Sequence, residues 1–188
     1  FRCRRGENSF FSNRTVNGVR DIMTLALEPG NAEAFMRVYS KFSLPIRRET
    51  AELAVSLYGA GKADSLIAAL ESASKEQPDW LRERLAELHD NFIALRTDTA
   101  REALDRIRYK MGYGGYVLKD SGDKERMYLL AILAAREKNA ESFLQRLRKL
   151  ESISSENRSA DSKLILSTIH SSKGLEYDRV IIIDALDG

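Results

Sequence analysis

Residues 78–112 read PDWLRERLAELHDNFIALRTDTAREALDRIRYKMG, and this stretch decides the fold. Leu81, Leu85, Leu88, Phe92 and Leu95 recur at alternating steps of four and three, which lines them along one face of a helix. Leu104, Ile107 and Met111 prolong the stripe, with Pro78 just inside the start and Gly112 just past the end, so the pattern predicts one long helix whose apolar face packs on other helices.

The flanks repeat that signal. Val16, Val19, Ile22, Met23 and Ala26 mark a helix over 15–27, which Pro29-Gly30-Asn31 breaks before a second helix over 32–40. Further helices are expected at 48–58, 63–72, 124–138 and 140–150. The glycine-rich run Met111-Gly112-Tyr113-Gly114-Gly115-Tyr116 reads as a turn whose two tyrosines plug an end of the bundle. The Leu/Phe stripe is core, and the middle of the chain is a helical bundle.

At 188 residues with 43% hydrophobic content, the chain can bury a sizeable core. Its 30 basic and 28 acidic residues nearly cancel, and a net charge of +2 gives no chain-wide attraction to phosphate or lipid, so any nucleic-acid contact must be local. Cys3, the single cysteine, excludes an internal disulfide and a multi-cysteine metal site and fits a reducing compartment. No run approaches the roughly 18 apolar residues of a membrane span, and the start Phe1-Arg2-Cys3-Arg4-Arg5 lacks the apolar centre of a signal peptide. A cytoplasmic protein with no membrane partner is expected. Both ends look cut, with no initiator Met and an apolar run near the C-terminus that should lead into more structure.

Toward the C-terminus the pattern changes. The stretch 152–162 is rich in Ser, Glu, Asn and Asp and reads as a linker. Leu164-Ile165-Leu166-Ser167-Thr168 and Val180-Ile181-Ile182-Ile183 then resemble short parallel strands buried on both faces. Phe1-Arg2-Cys3 is the obvious local strand to join them. The expected fold is therefore mainly α, a helical bundle inserted into a partial α/β parallel sheet formed by the terminal segments.

Between the two C-terminal runs lies Thr168-Ile169-His170-Ser171-Ser172-Lys173-Gly174-Leu175-Glu176-Tyr177-Asp178. Strand-to-loop transitions of this kind are where α/β domains place ligands. Gly174 permits close backbone approach to a phosphate or ribose. Glu176 can accept from sugar hydroxyls, and Thr168, His170, Ser171 and Ser172 can donate to nucleic-acid phosphates or sugars. Taken singly, each residue is also an ordinary turn or solvated side chain; taken as one string they are not.

That string resembles helicase motif V of the UvrD/PcrA/Rep family of superfamily 1 DNA helicases. Gly6, Phe10 and Phe11, and the helix, break and helix around Pro29, resemble the same family's segment leading into its helical insertion. The resemblance implies a piece of the second RecA-like, P-loop NTPase-type motor domain: residues 1–13 its strand and loop, 14–151 the helical 2B-like insertion, 152–162 a linker and 163–188 the motif V strand, loop and strand. It implies that Thr168 and His170 follow single-stranded DNA, that Glu176 binds the ATP ribose and that Gly174 lies near the phosphates.

It also implies an ATP-dependent DNA helicase parent, moving 3′ to 5′, acting in repair or replication near the nucleoid, using ATP and Mg2+ on single-stranded DNA and its junction with duplex. The insertion would be open to repair proteins. Where the family carries a Gly-Ile-Gly turn that holds duplex, this chain has Leu44-Pro45-Ile46-Arg47, so Arg47 and Arg48 are the local substitutes, by charge. The basic run Arg2, Arg4, Arg5 and Arg14 reads as a solvated face. No Gly-x-x-x-x-Gly-Lys-Ser/Thr loop occurs, so the piece alone is expected to be inactive. Two other readings are a helicase-nuclease motor of the AddAB or RecBCD type and a non-catalytic interaction module.

Overall fold

A computed structural model of the chain describes residues 2–3, 10–156, 165–166 and 169–182. Helix α1, Arg14–Leu27, lies at its centre: Val16, Val19, Ile22 and Met23 are fully buried. The Asn13 side chain accepts from the Thr15 amide at 2.8 Å and starts the helix. Around α1 pack α2 (Ala32–Val38), α6 (Ala100–Tyr109), α8 (Ser121–Ala134) and α9 (Ala140–Glu156). Helices α3 (Arg48–Gly59), α4 (Leu66–Ala73) and α5 (Asp79–Ala94) form a neighbouring layer in which α4 packs on both others.

The predicted single helix over 78–111 is two helices. Helix α5 buries Leu81, Leu85, Leu88 and Phe92 as expected and stops at Ala94. Thr99 then starts α6 with a capping box, its side chain taking the Glu102 amide while the Glu102 carboxylate takes the Thr99 amide. Thr and Asp side chains compete for backbone donors, which is why Thr97-Asp98-Thr99 interrupts a stripe that periodicity alone would carry through. Arg106 holds the break closed, donating to both carboxylate oxygens of Asp98 at 2.5 and 3.0 Å and to Asn91 at 3.0 Å. Arg96 ties the same turn to the carbonyl of Ala26 at the end of α1.

The glycine-rich run is also more ordered than a turn. It forms a short helix α7, Tyr113–Val117, launched from Gly112 at φ 78°. Tyr113 is fully buried and its hydroxyl donates toward the carbonyls of Arg14 and Thr15 at 3.2 and 3.1 Å. Burial pushes that phenol well above its ordinary pKa. The reading of a bundle plug therefore holds for Tyr113, while Tyr116 is 43% exposed and stacks against it.

Beside Tyr113, Asp123 is almost wholly buried and accepts from Thr15 Oγ1 and Arg14 Nη2, both at 2.6 Å. Arg14 thus stays on the solvated face, as expected, while its tip also ties Asp123. Burial alone would raise the Asp123 carboxyl, but hydrogen bonds from Arg14 and Thr15 outweigh it and hold the pKa below the carboxylate range. The native state then binds fewer protons than the unfolded chain once pH exceeds the native value, so the stabilisation is complete above about pH 4 and fades as pH falls through the depressed pKa. Asp123→Asn is expected to lose about 1–3 kcal/mol at neutral pH. It should also show a shallower fall in urea midpoint as pH drops below about 4 than the unaltered chain.

The expected α/β sheet is overturned. Among the described residues the one ladder is Arg2–Cys3 paired in parallel with Ile165–Leu166, in register Arg2 to Ile165 and Cys3 to Leu166, and residues 180–182 carry no strand. Two residues per strand do not make a layer, and the fold is helical. Short β-branched runs become strands only where neighbours complete their ladders, and no such neighbour stands beside 180–182 among the described residues. The rest of those expected strands, residues 1, 164, 167–168 and 183, lies outside the described residues, as does Gly6. Helix α9 continues to Glu156, into the stretch read as a linker from 152.

Candidate functional site

The C-terminal segment is built from a very short helix and a glycine turn. Helix α10, Ile169–Ser172, contains His170 and Ser171 in its backbone. Ser172 Oγ donates back to the Ile169 carbonyl at 2.9 Å, and the Leu175 amide donates to the Ser172 carbonyl at 3.0 Å, which turns the chain at Lys173-Gly174. Gly174 sits at φ 79°, a conformation L side chains rarely adopt, and among the described residues no atom beyond its chain neighbours lies within 4 Å of where a Cβ would stand.

The glycine is therefore required by backbone twist, and the described residues leave the space above it open. Glu176 and Lys173 are exposed on either side of that turn. The Tyr177 hydroxyl is buried without a hydrogen-bond partner among the described residues. Ile169, Val180, Ile181 and Ile182 are 80%, 69%, 85% and 65% exposed, so the described residues leave this apolar edge uncovered.

Thr168 lies outside the described residues, so its expected DNA contact has no geometry here. Arg47 and Arg48 stand apart, at the start of α3. Arg47 caps that helix with extended backbone and no side-chain cap bond, and is exposed. Arg48 donates to Glu52 at 2.8 Å, and this hydrogen bond is the chief cause of its raised pKa. Of the two, Arg47 is the one without an ion pair among the described residues. No hydrogen bond or ion pair joins them to 169–182 among the described residues, so the expected site residues fall into two groups.

Sequence reasoning passed over a third feature, a cavity of about 380 Å³ bounded by α1, α2 and α9 and lined by Arg20, Arg37 and Arg148. Its signal was available only in part. Asn17, Arg20, Asp21 and Thr24 follow one another at helical spacing along α1 beside the apolar stripe, but nothing linear ties them to Arg37 or Arg148.

Comparison with known proteins places this geometry in context. The sequence model of the family described as UvrD-like helicase C-terminal domain matches residues 66–188. A Bacillus subtilis (strain 168) protein described as "Putative ATP-dependent DNA helicase YjcD" is 24% identical over 191 residues, covering 98% of this chain. The chain spans 24% of the length of that relative. No solved structure matches the chain.

Proposed function

Because the chain belongs to the UvrD-like helicase C-terminal domain family, we propose that it is the DNA-engaging and nucleotide-sensing portion of an ATP-dependent DNA helicase. The observation that carries this reading is the open left-handed turn at Gly174, set in the motif V-like string and flanked by the exposed Lys173 and Glu176. In this reading the parent moves 3′ to 5′ along single-stranded DNA and opens duplex in repair or replication. Residues 14–151 are its helical insertion.

Thr168, His170 and Ser171 track the single strand, with Arg47 and Arg48 assisting on duplex by charge. ATP supplies the free energy of closure when bound. The residues present fit its sugar and phosphates, since Glu176 offers an exposed carboxylate to ribose hydroxyls and the space over Gly174 admits close backbone approach. Among the described residues no cluster of three or more His, Cys, Asp or Glu could hold a metal, so no part of magnesium binding is assigned to this chain. One short segment touching both ligands would let nucleotide-driven closure change the grip on DNA.

The test is ATP hydrolysis by the parent helicase with and without single-stranded DNA. Glu176→Ala is expected to raise the apparent KM for ATP by about tenfold, the loss of one hydrogen bond to a charged group. His170→Ala should lower the stimulation by DNA while leaving that KM near its original value. If both variants match the unaltered enzyme, the segment is a turn without a ligand and the reading fails.

A further inference from the structure

The cavity between α1, α2 and α9 is polar and cationic. Three guanidiniums reach it from three helices, with one carboxylate, Asp21, and the side chains of Asn17 and Thr24 beside them. Leu144 is its one apolar liner. That composition is wrong for an apolar peptide or a greasy small molecule, which need a mainly hydrophobic wall.

The carboxylates nearby are already held. Arg37 donates to both oxygens of Asp21, at 3.0 and 2.8 Å, and to Glu33 at 2.5 Å. Arg20 meets Glu151 at 2.9 Å through one terminal nitrogen and keeps its other donors. Arg148 is exposed and has no ion pair or hydrogen-bond partner among the described residues, and neither have the side chains of Asn17 and Thr24. Lys41 stands close to Asp21 and Arg37; burial lowers its pKa, and it has no carboxylate bonded to it among the described residues. Two cations, Arg148 and Lys41, are thus left over after the carboxylates are matched.

We infer that this groove seats the phosphate backbone of DNA, with Arg148 as its free anchor and Asn17 and Thr24 as neutral donors. Guanidinium, amide and hydroxyl groups are the donor set that holds nucleic-acid phosphates, and none of them reads base sequence. The inference rests on the reading of the chain as part of a DNA helicase, and it adds a contact surface apart from Arg47 and Arg48 and from 169–182. The acidic partners of Arg20 and Arg37 make it a seat for a backbone already drawn to the protein, tuned by salt.

The experiment measures binding of a labelled 20-base-pair duplex of arbitrary sequence to the 188-residue chain, by fluorescence anisotropy across a salt series without ATP. Arg148→Ala is expected to weaken binding roughly fivefold and to reduce the slope of log K against log salt by about 1, equally for any sequence. Arg148→Glu should weaken it further. Arg136→Ala, an exposed arginine just past α8 and outside the groove, should bind like the unaltered chain, and unchanged melting temperatures will show that the variants fold. Equal binding by Arg148→Glu and the unaltered chain overturns the inference, as does no duplex binding at all. Competition by polyglutamate as strong as by DNA at equal charge also overturns it, and points to an acidic protein segment instead. None of these failures alters the ATPase test, which reads a different segment.

Discussion

Gly112→Ala is expected to destabilise the domain by about 3–5 kcal/mol, the combined cost of left-handed backbone and a steric conflict. Gly112 has φ 78°, and a Cβ there would stand 2.5 Å from the carbonyl oxygen of Phe42. That oxygen is backbone and has no rotamer to move into. Ser43 makes the join tighter, since it holds φ 56° itself and donates from Oγ to the Gly112 carbonyl at 3.0 Å. Any movement that admits the methyl must displace the 42–43 chain, whose Phe42 ring packs edge-on to Phe92 at 5.6 Å. Chemical unfolding should show a lower midpoint with an unchanged m-value. A variant within about 1 kcal/mol of the unaltered chain would mean that the loop carrying Phe42 yields freely.

Gly18→Ala is the second large effect, and its sign runs against helix propensity. In the middle of α1 alanine should gain about 1 kcal/mol over glycine. Here the added methyl would lie 1.9 Å from the Tyr113 hydroxyl oxygen and 2.5 Å from the ring carbon bearing it. Tyr113 is fully buried and tethered by its hydroxyl to two carbonyls of the same helix, so the ring has nowhere to retreat. A net loss of about 2–4 kcal/mol is expected, the range of overpacking with loss of a buried hydrogen bond. Tyr113→Leu removes the ring, so the double variant should be less destabilised than the sum of the two single changes. Additive losses would place the conflict elsewhere.

Several features were legible because one local cause dictated them. Pro29-Gly30-Asn31 lies between the end of one helix and the start of the next, since a fixed φ and a missing donor act within a few residues. The stripe from Leu81 to Phe92 was readable because periodicity reports burial directly. The same stripe concealed the break at Thr99, where a capping box overrode a pattern that continued on both sides of it. Helix α4 begins at Leu66, three residues past the expected start, because Ser65 caps it by accepting from the Ala68 amide.

The second C-terminal run, at 180–182, misled for a different reason. Its residue types favour a strand, but a strand is a property of its neighbours. The motif V-like string was legible as a pattern of residue types in order, and that pattern survives whatever structure its flanks take. The groove of Arg20, Arg37 and Arg148 was not, since only the packing of α1, α2 and α9 brings the three together.

The order of burial has a consequence for how the chain is made. Helix α1 leaves the ribosome before the helices that cover it: its apolar face packs under α6, α8 and α9, and its bond from Thr15 to Asp123 closes a separation of 108 residues. At typical ribosomal speeds of roughly 5–20 residues per second, Val16, Val19, Ile22 and Met23 wait on the order of ten seconds for their covering helices to emerge. During that interval the nascent chain carries a greasy, unshielded helix, the kind of segment that holding chaperones bind. Cooperative folding of this domain is therefore a late event, set by the arrival of its last long helix.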